Sequence, residues 1–391
     1  MHLFIEIGVI MNSKIKLPDY NNSIFNVIIS ILKHFNVESK YNGIEKLDNI
    51  LNDNKKNIVF ILLDGMGSNL INKISPNNFF AKNKISNLTS IYPSTTTAVL
   101  NSLYSAKPPI ETGWIAWSQY FKEYGRSLDM FKQQDSYTEE IYKNAKINVF
   151  NLISYKNIFE QIKEKNNKVK TYEINPNSCE SRANVTLKTD TIEDMCSAIT
   201  SICSNNENNF IFAYMNNPDK LLHKNGCNSI EVKDFLLQTE IQIENMCNKL
   251  KNTTIIISAD HGHNDIKKRY NILEMDEISR YLIMPPSFES RCPTFWVKDE
   301  KKEEFEIAFK KIFKKEFILY TKKEFLDKHF LGYGQQHEKI DDFIGDYIAV
   351  SVKDSIIEIK TAISADKYMK LSTHCGLTEN EMIIPLIVKQ L

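Results

Sequence analysis

The chain has 391 residues, 42% of them hydrophobic and 25% charged, which is room for one large α/β domain or a core domain carrying an insert. Lys+Arg and Asp+Glu number 49 each, so the formal net charge is zero, which argues against a binder of nucleic-acid polymers, a role that needs a basic surplus. A small anionic substrate stays open, because bound metals supply positive charge locally.

In chain order, the first ten residues, from Met1 to Ile10, have faint leader character but lack a basic start and are interrupted by Glu6; Met11 is an alternative start. A helix is expected over 22–34. Short apolar, β-rich runs then alternate with helical patterns, as in an α/β sheet. Strands are expected over 57–63, 168–174, 210–215 and 253–258. A helix over 229–251 carries Phe235, Leu236, Ile241, Ile243, Met246 and Leu250 as a core stripe. A strand over 293–297, a helix over 303–313 and strands over 317–321 and 345–350 follow. Residues 265–345 are the candidate insert or cap, and 114–165 is a second segment able to fold over a site. Its Trp114, Trp117, Tyr120, Phe121 and Tyr124 fit a pocket wall or a core. The seven cysteines are odd in number and form no CxxC pair, and no stretch reaches membrane-span length; the expected place is the cytoplasm, reduced and away from membrane.

Three expected strands run into an Asp. The run ending at Leu63 meets Asp64-Gly65. The run ending at Met215 meets Asn216-Asn217-Pro218-Asp219, with His223 four residues on. The run ending at Ser258 meets Ala259-Asp260-His261-Gly262-His263. A fourth element is Ser372-Thr373-His374-Cys375-Gly376. In open α/β sheets the C-terminal strand ends line one crevice, so these groups face a shared site. Carboxylates crowded there repel one another and raise their pKa values; divalent cations remove that cost. Three Asp and three His exceed one tetrahedral zinc but suit two adjacent metals. Two-metal sites favour in-line displacement at phosphorus, which calls for a hydroxyl nearby. Tyr92-Pro93-Ser94-Thr95-Thr96-Thr97 offers four aliphatic ones before a helical run. Taken singly, each feature is more often a helix cap, a structural His or a turn Asp; the combination in this order carries the signal.

These residues resemble the alkaline phosphatase superfamily, and within it the type I phosphodiesterase/nucleotide pyrophosphatase branch. The resemblance rests on Leu63-Asp64-Gly65-Met66-Gly67, Tyr92-Pro93-Ser94-Thr95-Thr96, Pro218-Asp219 with His223, Ser258-Ala259-Asp260-His261-Gly262, Thr373-His374-Cys375-Gly376-Leu377-Thr378, Glu381-Met382 and Pro385-Leu386-Ile387-Val388. It implies a single catalytic domain over 1–391, an α/β sandwich of a mostly parallel central sheet flanked by helices, with a small inserted cap. It implies Asp219, His223 and His374 on one metal, and Asp64, Asp260 and His261 on the other together with the oxygen of Thr96. The family register, with the nucleophile three residues after the Pro, selects Thr96 among the four hydroxyls. The implied reaction passes through a phosphothreonine that water hydrolyses. The metals are two divalent ions, zinc by ligand type, with manganese the alternative.

Three positions depart from the family pattern. Where related diesterases carry an Asn that hydrogen-bonds a phosphoryl oxygen, four residues after the Gly matched by Gly113, this chain has Trp117; Gln119 is the alternative donor. His263 replaces a commoner Met and has either a supporting or a plain surface role. The loop Ala106-Lys107-Pro108-Pro109-Ile110-Glu111-Thr112-Gly113 lacks the usual His-Gly. The expected partner is a small phosphoester. A phosphodiester, possible base-stacking on 114–124 included, leads; a phosphomonoester would want Arg126, Lys122 or Lys107 beside the phosphoryl oxygens. A phosphomutase has no motif of its own here, and the absence of Cys-x-Pro-x-Arg argues against a sulfatase. A degenerate metal-binding relative would need a lost ligand or nucleophile, and none is lost.

Overall fold

Asn57–Leu63, the sequence NIVFILL, is buried at every position. Such an unbroken apolar run belongs to a strand covered on both faces. In the computed structural model, which describes residues 15–74, 77–141, 148–360 and 369–391, it is the middle strand of a seven-stranded sheet. The leader-like first ten residues and Met11 lie outside the described residues.

The strands are β1 (Asn57–Leu63), β2 (Lys84–Thr89), β3 (Val169–Asn175), β4 (Thr186–Lys188), β5 (Asn208–Met215), β6 (Thr253–Ser258) and β7 (Ile383–Gln390). Their order across the sheet is β2-β7-β6-β1-β5-β3-β4. β6, β1, β5, β3 and β4 pair in parallel, whereas β7 is antiparallel to both β2 and β6. Only the last strand therefore runs against the rest. The C-terminal ends of β1, β5 and β6 lie side by side at one edge, where β2 also ends and β7 begins.

Helices Ile24–His34, Thr96–Ser105 and Ile230–Cys247 contribute to the core around this sheet. The expected stripe on the last helix is partly corrected. Leu236, Ile243, Met246 and Leu250 are buried, but Ile241 is 40% exposed. Val232 and Thr239 join the inward face instead, at the spacing of a 3.6-residue turn.

A second seven-stranded sheet, antiparallel throughout, orders its strands 317–321, 347–351, 292–295, 287–289, 118–121, 126–129 and 134–135. It draws on residues from 265–345, on the strand Tyr347–Ser351 and on the 114–141 segment. Helix Lys302–Phe313 places Phe305, Phe309 and Phe313 four apart on one face, packed with Phe295 and Phe317. Among the described residues, no helix is long and apolar enough to cross a membrane.

Candidate metal centre

Asp64 follows β1, Asp219 follows β5 and Asp260 follows β6, so the sheet order alone brings the three carboxylates together. Backbone bonds fix them: Asp64 N donates to Met215 O at 2.9 Å, and Asp219 N donates to Asp64 O at 2.9 Å. Asp260 Oδ1 accepts from Gly65 N at 3.0 Å and His261 N at 2.9 Å. Gly65 takes φ +77°, and a Cβ there would stand 3.0 Å from the Asp219 backbone, so the turn needs glycine. Gly262 is tighter still: its Cβ would fall 2.0 Å from Asn380 O.

Three histidines close the site. His223 Nδ1 meets Ser372 O at 2.7 Å, His374 Nδ1 meets Ser94 O at 2.9 Å, and His261 Nδ1 meets Gly262 O at 3.1 Å. A carbonyl only accepts, so each Nδ1 carries the proton and each Nε2 is left with a lone pair facing inward. His261 Nε2 is 3.5 Å from Asp64 Oδ1 and 3.3 Å from Asp260 Oδ2. His223 Nε2 is 3.4 Å and His374 Nε2 3.8 Å from Asp219 Oδ1. Burial pushes the His223 imidazole down to about 3 and His374 well below its usual range, so both are neutral at physiological pH.

The carboxylates are the converse case. Burial, then the charges of Asp260 and Asp219, hold Asp64 well above the usual carboxylate range. Burial acts the same way on Asp219, but His223, His263 and His374 outweigh it and leave it well below. Asp260 Oδ2 is buried with no hydrogen-bond donor. Buried, mutually repelling carboxylates with an orphaned oxygen, facing neutral imidazole lone pairs, fit divalent cations. Two groups of donor atoms, each within 4.8 Å of one another, meet this description: Asp219, His261, His263 and His374, and Asp64, Asp260 and His261.

His263 belongs inside this cluster. It is buried rather than at the surface, its Nε2 lies 2.7 Å from Asp219 Oδ1, and its Nδ1 lies 3.0 Å from Ser372 Oγ. Tyr214, which sequence reasoning passed over as strand, donates its hydroxyl to Asp64 Oδ2 at 2.5 Å. Lys370 Nζ stands 3.3 Å from His223 Nε2. Neither residue has a local sequence signal, because each reaches the site only through the fold.

The four aliphatic hydroxyls separate cleanly. Thr96 opens the helix Thr96–Ser105 and is half-buried; its Oγ1 is 3.3 Å from Asp64 Oδ2 and 3.4 Å from His261 Nε2. Ser94 Oγ and Thr97 Oγ1 are buried without a hydrogen-bond partner, and the Thr95 hydroxyl bonds Glu289.

Gln119 is not available to a phosphoryl group: Oε1 accepts from Ile115 N and Ala116 N, and Nε2 donates to Gly113 O. Trp117 spends its backbone N–H on Glu289 Oε1 at 2.8 Å and packs its ring edge-on against Phe131. Segment 114–124, expected to fit a pocket wall or a core, is core at two of its aromatics. Trp114 and Phe121 are fully buried, and 118–121 is a strand of the second sheet. Aromatic groups near Tyr214 come from elsewhere, around a cavity of about 70 Å³ lined by Tyr104, Phe131, Phe150 and Arg182. The candidate cations also lie elsewhere: Lys122 pairs with Asp342, Arg126 with Asp135, and Lys107 lines a cleft just past the far end of helix Thr96–Ser105.

The type I phosphodiesterase/nucleotide pyrophosphatase family matches residues 58–373, which span all of these site elements up to the strand before His374. The chain belongs to that family. By that membership it is a phosphoester hydrolase. No curated protein matches the sequence. Among solved structures, murine ectonucleotide pyrophosphatase/phosphodiesterase 5 is 15% identical, with 85% of this chain and 88% of that one covered, at a TM-score of 0.63. An inactive variant of the same murine protein, in complex with AMP, gives 15%, 84%, 87% and 0.62. Phosphonoacetate hydrolase from Sinorhizobium meliloti in complex with phosphonoformate gives 14%, 85%, 89% and 0.60. At these identities the likeness establishes the fold, a mixed α/β architecture around a mostly parallel sheet.

Proposed function

We propose that the chain is a phosphodiesterase that attacks phosphorus with Thr96. The carrying observation is that, of the four hydroxyls on the Ser94–Thr97 turn, only that of Thr96 contacts both Asp64 and His261. Two divalent ions, zinc by the donor set, are held by Asp219, His223 and His374 and by Asp64, Asp260 and His261, the latter with Thr96. When bound, such ions neutralise charge developing on the phosphoryl oxygens. The chain's own groups do the rest. Thr96 sits at the first turn of its helix, where free backbone N–H groups favour an incoming anion. Its oxygen bonds to phosphorus as the ester oxygen departs, giving a phosphothreonine that water cleaves. His263 and Tyr214 hold the Asp219 and Asp64 carboxylates in register. The seven free thiols, six of them buried, support a cytoplasmic setting.

Lys107, Lys122 and Arg126, the cations expected to serve a monoester, are engaged or placed elsewhere, which supports the diester; Lys370, beside His223, is a cation that does reach the site. The test compares bis-p-nitrophenyl phosphate with p-nitrophenyl phosphate, with phosphonoacetate and dinucleotides completing the panel. Much faster monoester cleavage would reject the diesterase reading. Thr96→Ala should lower kcat by at least about a thousandfold while zinc content is retained; persistent turnover would remove Thr96 as nucleophile.

A further inference from the structure

The corner beside Thr96 carries a carboxylate. Glu289 ends the strand Ser287–Glu289 of the second sheet and meets the turn that opens helix Thr96–Ser105. Its Oε1 accepts the Trp117 N–H at 2.8 Å, and the Thr95 hydroxyl bonds the same carboxyl. His261 and Lys370 lie within electrostatic reach of it. Glu289 is thus bracketed by the residue before the nucleophile, by a proposed metal ligand, and by the position where related diesterases carry the Asn that binds a phosphoryl oxygen.

The Asn of related diesterases donates to phosphoryl oxygens; the Glu289 carboxylate, which meets the backbone of that same position, only accepts. Glu289 therefore repels them, and the repulsion scales with the charge on the phosphoryl group. A monoester dianion meets about twice the repulsion of a diester monoanion. We propose that Glu289 is a specificity-determining residue that selects singly charged phosphoryl groups, the diesters, against doubly charged monoesters. The proposal rests on the phosphoester-hydrolase function above and names the feature of that site which sets its preference. The alternative is a strut that joins the Trp117 segment to the nucleophile turn. Glu289→Gln separates the two, because it removes the charge and keeps both the size and an accepting oxygen.

The experiment uses the full zinc-loaded chain at about pH 8.5, because burial raises the Glu289 carboxyl above its ordinary range and the selection needs its charge. It measures kcat/KM for p-nitrophenyl phosphate and bis-p-nitrophenyl phosphate, and the Kd of inorganic phosphate by calorimetry. In Glu289→Gln the monoester-to-diester ratio should rise about tenfold or more, and phosphate should bind about tenfold tighter. Glu289→Asp, which keeps the charge, should retain the low wild-type ratio. An unchanged ratio with unchanged phosphate affinity, an equal fall on both esters, or an equal rise in the Asp variant would overturn the proposal. If wild type cleaves neither ester while Glu289→Gln still tightens phosphate binding, the hydrolase reading fails and the charge selection stands.

Discussion

His263 conditions a neighbouring carboxylate rather than standing at the surface. Its Nε2 meets Asp219 Oδ1, and Ser372 Oγ fixes its other nitrogen. Groups behind a ligand orient it and tune its basicity. His263→Met, which installs the commoner family residue, should weaken zinc binding about 10–100-fold, and His263→Gln should weaken it less. Chelator-competition titration measures both, and equal affinity in the Met variant would show that Asp219 needs no such support. At this scale the Asp and His positions were legible because each stands at the end of an apolar run or in a short motif. Glu289, Tyr214 and Lys370 were not, since their side chains meet the site across separations such as the 150 residues between Tyr214 and Asp64.

The loop from His374 to Met382 is ordered by one buried ion pair. Arg291 Nε donates to Glu381 Oε1 at 2.6 Å and Nη2 to Oε2 at 2.8 Å, with both side chains fully buried. Glu381 also accepts Gly376 N at 2.6 Å and the Thr378 hydroxyl at 2.5 Å. The carboxylate thereby ties the second sheet to the turn that presents His374. Glu381→Ala leaves a buried guanidinium unpaired and should cost about 3–5 kcal/mol in denaturant unfolding. It should also lower zinc content, because His374 loses its anchor. The double variant Arg291→Met/Glu381→Leu should be less destabilised than the single one. Element positions were largely readable: β1, β6 and 317–321 fall where their apolar runs end. The second sheet was not readable as a unit, because its strands come from 118–135 and 287–351 and no local pattern links them.

Across the whole molecule, the centre couples stability to both metal and pH. In the metal-free chain His223 resists protonation until about 3, whereas an unfolded imidazole takes a proton near pH 6.5. The unfolded state then binds more protons, so this group lowers stability as pH falls from about 6.5 toward about 3 and has no effect above. Tm of the metal-free protein should drop between pH 7.5 and pH 5, and His223→Gln should flatten that slope. Zinc at about a hundred times its Kd should add about 2.7 kcal/mol, which chelation should reverse. A chelator-insensitive Tm would argue against a metal held by the folded state.

The position of β7 has a further consequence, for synthesis. The last strand to be made lies between β2 and β6, not at an edge. Until residues 383–390 leave the ribosome, the apolar β6 segment Ile255-Ile256-Ile257 has one open flank of unpaired backbone. Such a flank invites pairing with other chains. A product truncated before Ile383 would thus contain every proposed ligand, His374 included, and still be aggregation-prone and poorly able to shape the site.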